Sequence, residues 1–174
     1  MRVQDAMTKT PATCRPDTNL AIAAELMWTH DCGSLPVLDD AEAVGFVTDR
    51  DMLIALGTRK QRPADLTVAE VMRSPVITCT PTDDVTLALS TMRGRKVRRL
   101  PVVDRDGKLM GILAINDLVL HSDRHGRKET AVPYDEVMTA LKGICDYHQI
   151  MTTQEHRADE RLEVELAPGV GHAL

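Results

Sequence analysis

Apolar and polar positions alternate along the chain with two distinct periods. Leu20, Ala23, Ala24 and Met27 fall at i, i+3, i+4 and i+7, one face of a helix, and Asp17-Thr18 just before them are residues that cap helix starts. Short apolar runs at 35–38 and 43–47, separated by acidic residues, predict two strands joined by a turn, and a second helix follows from Thr48.

The same order returns 65 residues later. Val3-Gln4-Asp5-Ala6-Met7 lies over Val68-Ala69-Glu70-Val71-Met72, Cys14 over Cys79, Met27 over Met92, and Leu35-Pro36-Val37-Leu38-Asp39 over Leu100-Pro101-Val102-Val103-Asp104. After one inserted residue, Gly45-Phe46-Val47-Thr48-Asp49-Arg50-Asp51 falls on Gly111-Ile112-Leu113-Ala114-Ile115-Asn116-Asp117. The second copy starts its first helix near Thr82-Asp83, has strands at 100–103 and 109–113, and starts its second helix near Ile115. Each unit reads β-α-β-β-α with a short helical lead at Val3–Met7 or Val68–Met72. A unit of about 60 residues cannot cover its own sheet face, so the two are expected to pack sheet to sheet with pseudo-two-fold symmetry. The result is an α/β (α+β) chain with units at 1–62 and 63–122, two related clefts, and a helical extension at 123–174.

In that extension Pro133 is placed to open a helix reaching about residue 149, with Val137, Met138, Leu141, Ile144 and Cys145 as its apolar stripe. Charge dominates from about Thr152 to Arg161, and Ala167-Pro168-Gly169-Val170-Gly171 is expected to fray.

Composition changes this picture little: 43% apolar and 27% charged residues exclude a wholly disordered or collagen-like chain. With aromatic residues only at Trp28, Phe46, Tyr134 and Tyr147, the core must be aliphatic. Lys plus Arg total 21 against 26 Asp plus Glu, split as 15 against 16 in residues 1–120 and 6 against 10 beyond. That balance, with so few rings for base stacking, argues against nucleic acid as a partner. No apolar run approaches the ~20 residues that span a bilayer, so no membrane partner is expected and a cytoplasmic location is. Cys14, Cys32, Cys79 and Cys145 form no Cys-x-x-Cys pair and read as buried reduced thiols.

The repeated Leu-Pro-Val-x-Asp strand and the Gly-h-h-Thr-x-x-Asp element, where h is apolar, together resemble a pair of cystathionine β-synthase (CBS) domains, a Bateman module. The resemblance covers residues 1–120. Met7-Thr8, Gly33-Ser34-Leu35-Pro36-Val37 and Val97-Arg98-Arg99-Leu100-Pro101-Val102 are especially similar to small stand-alone bacterial CBS pairs of the hypoxic response protein type. It implies a regulatory role, a homodimer, an effector protein, and an adenosyl ligand such as AMP, ADP, ATP, NAD or S-adenosylmethionine.

Thr48-Asp49-Arg50-Asp51 has a clear chemical use at such a cleft. With Thr48 as N-cap, its hydroxyl and the Asp51 carboxylate lie together, and a carboxylate that accepts from two vicinal hydroxyls reads a ribose. The same residues also fit a plain capping box that holds no ligand. The resemblance supplies the rest: adenine against Val76 and Ile77, and phosphates at Arg98 with Arg99 nearby, Arg being suited to bidentate phosphate contact. The second site keeps Asp117 against Ala12 and Thr13. There, however, Ala114 replaces the hydroxyl, and Gly33 stands where the first site has Arg98. Unequal sites are therefore expected, the second taking a less charged adenosyl moiety such as that of NAD, or none.

Metal or redox chemistry at His121, His125, His148 and His156, at Cys145 with His148, or at Cys14, Cys32 and His30 is weighed and set aside in favour of ordinary packing, so no metal is expected. No Gly-x-Ser-x-Gly, His-Glu-x-x-His, Walker or Gly-x-Gly-x-x-Gly pattern occurs. The chain reads as a binding module and not an enzyme, with a ligand-free scaffold as the alternative.

Overall fold

The computed structural model describes residues 1–123 and 132–146. The first copy contains α1 (Val3–Ala6), α2 (Leu20–Thr29), β1 (Ser34–Asp39), β2 (Glu42–Thr48) and α3 (Asp49–Arg59). Two short 3-10 turns at Pro63–Asp65 and Val68–Glu70 lead into α4 (Val85–Arg95), β3 (Arg99–Val103), β4 (Leu109–Ala114) and α5 (Ile115–Leu120). A two-residue parallel pair, β5 (Ser122–Asp123) with β6 (Val132–Pro133), precedes α6 (Tyr134–Cys145).

The helix starts lie one or two residues beyond those expected. Asn19 caps α2, its side chain accepting from the Ile22 amide at 2.9 Å, and Asp84 caps α4 through the Thr86 amide at 3.0 Å. Thr18 and Asp83 instead accept from the amides of Arg15 and Thr80, closing the turns ahead of each helix. The hairpins β1–β2 and β3–β4 are antiparallel, each with an irregular step at an equivalent place, Val37/Leu38 and Val102/Val103. The leading strand of each unit is shorter than expected: it is one residue, Cys14 bridging Val37 and Cys79 bridging Val102, both parallel. Pro11 and Pro16 flank the first of these, and Pro75 and Pro81 the second, each lacking the amide hydrogen that a longer ladder needs.

The two cores do not follow the linear boundaries. Leu66 and Val68 pack with Cys14, Leu20, Leu35, Val37 and Val47 of the first copy, whereas Val3 and Ala6 pack with Val85, Leu100, Val102 and Leu113 of the second. Each lead segment is thus exchanged onto the other copy. Backbone bridges fix the exchange symmetrically, Thr8 with Ile112 and Arg73 with Phe46, and the hairpin tips meet at Glu42 and Lys108.

Helix α6 lies on α4 and α5, burying Val137, Ala140 and Ile144 beside Leu89, Met92 and Leu118. Met138 and Leu141 are only half-buried, and Cys145 is exposed rather than part of a buried stripe. The expected residues 147–149 of this helix, and the charged and Gly-Pro segments after them, lie outside the described residues. No comparable helix lies on the outer face of the first copy among the described residues. There Trp28 is 86% and Leu53 71% exposed, while Ala24, assigned to the core stripe by its spacing, is also exposed.

Candidate functional site

The strand-to-helix corner of each copy opens on the junction between the copies. In the first, Thr48 adopts extended backbone and caps α3. Its hydroxyl accepts from the Asp51 amide at 3.2 Å and donates to Asp51 Oδ2 at 2.6 Å, and its own amide donates to the same oxygen at 3.2 Å. The capping box and the proposed ribose reader are therefore one arrangement. Asp51 Oδ1 is held by Arg73, whose Nε and Nη2 donate at 3.2 and 2.9 Å. Burial pushes the Asp51 carboxyl up, but the hydrogen bonds from Arg73 and Thr48 and the charge of Arg73 outweigh it and hold the group below its ordinary value.

The equivalent corner of the second copy is sparser. Asp117 Oδ2 accepts from the Ala114 amide at 2.8 Å, the half of a capping box that survives without a hydroxyl at position 114. It borders a cavity of about 290 Å³ that also reaches Thr8, Ala12, His30, Ser34 and Arg99. The sequence placed no basic partner here because Gly33 matches Arg98. Strand alternation supplies one instead: Arg99, the next residue along β3, faces this cavity together with its repeat equivalent Ser34.

The remaining expected residues distribute as follows. Ala12 and Asp117 share the second cavity, while Thr13 is half-buried and not on its wall. Val76 and Ile77 are half-buried at the positions matching Pro11 and Ala12, on the segment that Arg73 and Ser74 tie to β2. Arg50 is exposed, with its amide bonded to Asp49 Oδ1. Arg98 is exposed and gives its carbonyl to the Ile115 amide at the start of α5. Arg73 was not anticipated, although the repeat held the signal, since it stands where the first copy has Thr8. His30 and Ser34 also line the Asp117 cavity, and nothing in their local sequence marks either as a ligand contact.

The glycines that recur in the two motifs, Gly45 and Gly111, have a steric basis. A Cβ on Gly111 would lie 2.5 Å from the Thr8 carbonyl oxygen, and one on Gly45 would run into the Met72 sulfur. Each glycine thus admits the exchanged lead segment of the other copy. There are two larger hollows, one of about 500 Å³ on the outer side of the α3 start, lined by Gly33, Asp49, Trp28 and Leu53, the other of about 370 Å³ between α4 and α6. Neither brings residues of both copies together around a helix-start carboxylate, as the Asp117 cavity does.

Two of the four thiols are buried, Cys14 and Cys79; Cys32 is half-buried and Cys145 exposed, so the expectation of four buried thiols is corrected. Burial pushes the Cys14 thiol up to about 11, and burial with the nearby Asp83 charge pushes Cys79 up to about 12, keeping both protonated. Among the described residues no three His, Cys, Asp or Glu side chains gather as a cation site, and His125, His148 and His156 lie outside them. No described helix is long and apolar enough to cross a membrane.

Comparison with known proteins agrees with the internal repeat. The chain is 38% identical over 120 residues to the CBS domain-containing protein YhcV of Bacillus subtilis, covering 68% of this chain and 84% of that one. It is 39% identical over 120 residues to inosine-5'-monophosphate dehydrogenase of Mycobacterium tuberculosis, but spans only 22% of that enzyme's length. Among solved structures, hypoxic response protein I with two coordinated zinc ions superposes with TM-score 0.65 at 27% identity, covering 71% of this chain and 100% of that one. CBSX2 in complex with AMP gives 0.61 at 33%, covering 68% and 93%. The CBS domain pair of MJ0100 with 5'-methylthioadenosine and S-adenosyl-L-methionine gives 0.63 at 27%, covering 69% and 94%. The CBS domain family model matches residues 3–58 and 68–123, the two copies of the repeat, and the chain belongs to the CBS domain family as a tandem pair.

Proposed function

We propose that the chain is a regulatory module that binds an adenosyl ligand in the clefts between its CBS copies and passes the bound state to an effector protein. The observation that carries this reading is the second cleft. It presents a helix-start carboxylate, Asp117, with an oxygen that has no hydrogen-bond partner among the described residues, and faces it with Arg99 and His30 across about 290 Å³. A carboxylate for vicinal hydroxyls and a guanidinium for phosphate are the groups a nucleotide needs. Similar CBS pairs have been solved with AMP and with S-adenosyl-L-methionine and 5'-methylthioadenosine, which supports the class of ligand. AMP, ADP, ATP, NAD and S-adenosylmethionine all share the ribose that Asp117 and Asp51 read. Arg99 makes the second cleft better suited to a charged ligand than its sequence alone suggests. The chain acts in this reading as a binding protein of the cytoplasm and not as an enzyme.

A homodimer is part of the reading. The outer face of the second copy is covered by α6, while that of the first leaves Trp28 and Leu53 in the open, and a second copy of the chain is its occupant.

The test is thermal melting with each of the five ligands, on the unaltered chain and on Asp117→Ala and Asp51→Ala. A ligand at 100 times its dissociation constant stabilises by about 2.7 kcal/mol, a shift of several degrees. A shift reduced by either variant supports the reading. No shift with any ligand favours the ligand-free scaffold, to which the Arg73 clasp on Asp51 already lends one observation.

A further inference from the structure

The two ribose-facing carboxylates differ in how much of their accepting capacity is already used. A carboxylate offers about four lone-pair sites. At Asp51 four donors fill them: the Thr48 amide and hydroxyl on Oδ2, and Arg73 Nε and Nη2 on Oδ1. At Asp117 the Ala114 amide is the single donor among the described residues. Both differences are substitutions between equivalent positions of the repeat, Thr48 against Ala114 and Arg73 against Thr8.

Arg73 is well placed to be moved. Its backbone is pinned beside β2, its amide donating to the Phe46 carbonyl at 2.9 Å and its carbonyl accepting from the Phe46 amide at 3.1 Å. Its side chain is 68% exposed while that of Asp51 is 10% exposed. The guanidinium can therefore swing on a fixed root, whereas the carboxylate stays in place.

We propose that Arg73 is a specificity-determining latch on the first cleft, giving up Asp51 only to a ligand that brings its own anion. This rests on the reading of Asp51 as a ribose reader. A neutral nucleoside must break the Arg73–Asp51 pair and leaves the guanidinium with water. A nucleoside phosphate offers it a second oxyanion, so one charge pair is exchanged for another while Asp51 turns to the ribose hydroxyls. The second cleft, with Thr8 in place of the arginine, has no such latch and accepts a nucleoside without that exchange.

Calorimetric titration of adenosine and AMP into the full chain carrying Asp117→Ala isolates the first cleft; Arg73→Ala and Asp51→Ala are then added to that background, with circular dichroism confirming folding. With Arg73 present, AMP binds more tightly than adenosine by about ten-fold or more. Arg73→Ala tightens adenosine by about three-fold, the worth of an exposed ion pair, and the preference for AMP collapses toward unity. If Arg73→Ala weakens AMP and leaves adenosine unchanged, Arg73 is only a phosphate partner and the latch is wrong; if neither ligand changes, Arg73 plays no part and the latch is equally wrong. A different failure, Asp51→Ala leaving both ligands unaffected, overturns the assignment of Asp51 as the ribose reader itself.

Discussion

Gly111 and Thr8 are 103 positions apart in the chain, yet a Cβ on the glycine would stand 2.5 Å from the threonine carbonyl oxygen. The obstacle is backbone, and that backbone is itself held by the Thr8 amide donating to the Ile112 carbonyl and the Ile112 amide to Thr8, both at 2.9 Å. Gly111→Ala must therefore push the lead segment off β4, at a cost of about 1–3 kcal/mol, the range for overpacking. Gly45→Ala meets the end of the Met72 side chain, which can rotate away, and is the milder change. Chemical denaturation of the two variants checks the order, and equal losses would contradict it.

Acid should act through Asp51. Its folded-state value lies below the ordinary one of 3.8, so its contribution to stability is fully present above that value and is lost as pH falls through the lower folded-state value. Arg73→Ala removes the hydrogen bonds that lower it most strongly, together with the Arg73 charge, and leaves the Thr48 bonds in place. The unaltered chain is then the more stable above about pH 4 by about 0.2–1 kcal/mol after solvent screening, and the two melting curves converge in stronger acid. Parallel curves from pH 6 down to pH 2.5 would show that the ion pair contributes nothing.

Thiol labelling separates the cysteines by depth. At pH 8 iodoacetamide should modify Cys145 first, then the half-buried Cys32, and spare Cys14 and Cys79 until the chain is unfolded, because both stay buried and protonated. Mass spectrometry of the native and denatured protein reads the sites directly. Early labelling of Cys14 or Cys79 would mean that the exchanged lead segments open readily.

Association should run through one end of the molecule. Trp28→Glu and Leu53→Glu, on the open face of the first copy, are expected to convert a dimer into a monomer in light scattering, with little change in melting temperature. Leu87→Glu, on the exposed surface of α4 in the second copy, serves as the control and leaves the dimer intact. A monomeric unaltered chain, or a dimer indifferent to both changes, would remove the second copy as the occupant of that face.

Much of this was legible in the amino-acid order because the repeat states each feature twice. Leu35-Pro36-Val37 and Leu100-Pro101-Val102 both become buried strands, and Thr48 and Asp51 cap α3 through the bonds their spacing suggested. What escaped depended on contacts between segments distant in the chain, some of them across the pseudo-two-fold axis. Arg73 reaches Asp51 over 22 positions because the copies exchange their lead segments, and His30 of the first copy reaches the Asp117 cavity of the second, whereas Arg99 enters that cavity from within its own copy, opposite Ala114 across the β3–β4 hairpin. The single-residue leading strands were hidden for a simpler reason, since apolar patterning does not count the amide hydrogens that flanking prolines lack.

That exchange also bears on how the pair folds and how it came to be a pair. A half-molecule cut near residue 62 would keep Val3 and Ala6 with no core to receive them and lose Leu66 and Val68 from its own. Each half's core is completed by the other, so the two should unfold in one cooperative step, as subunits do in a domain-swapped dimer. Tethering such a dimer into a single polypeptide frees its two halves to mutate independently. Arg73 opposite Thr8 is a substitution that a true homodimer, with one sequence serving both sites, could never make on one side alone.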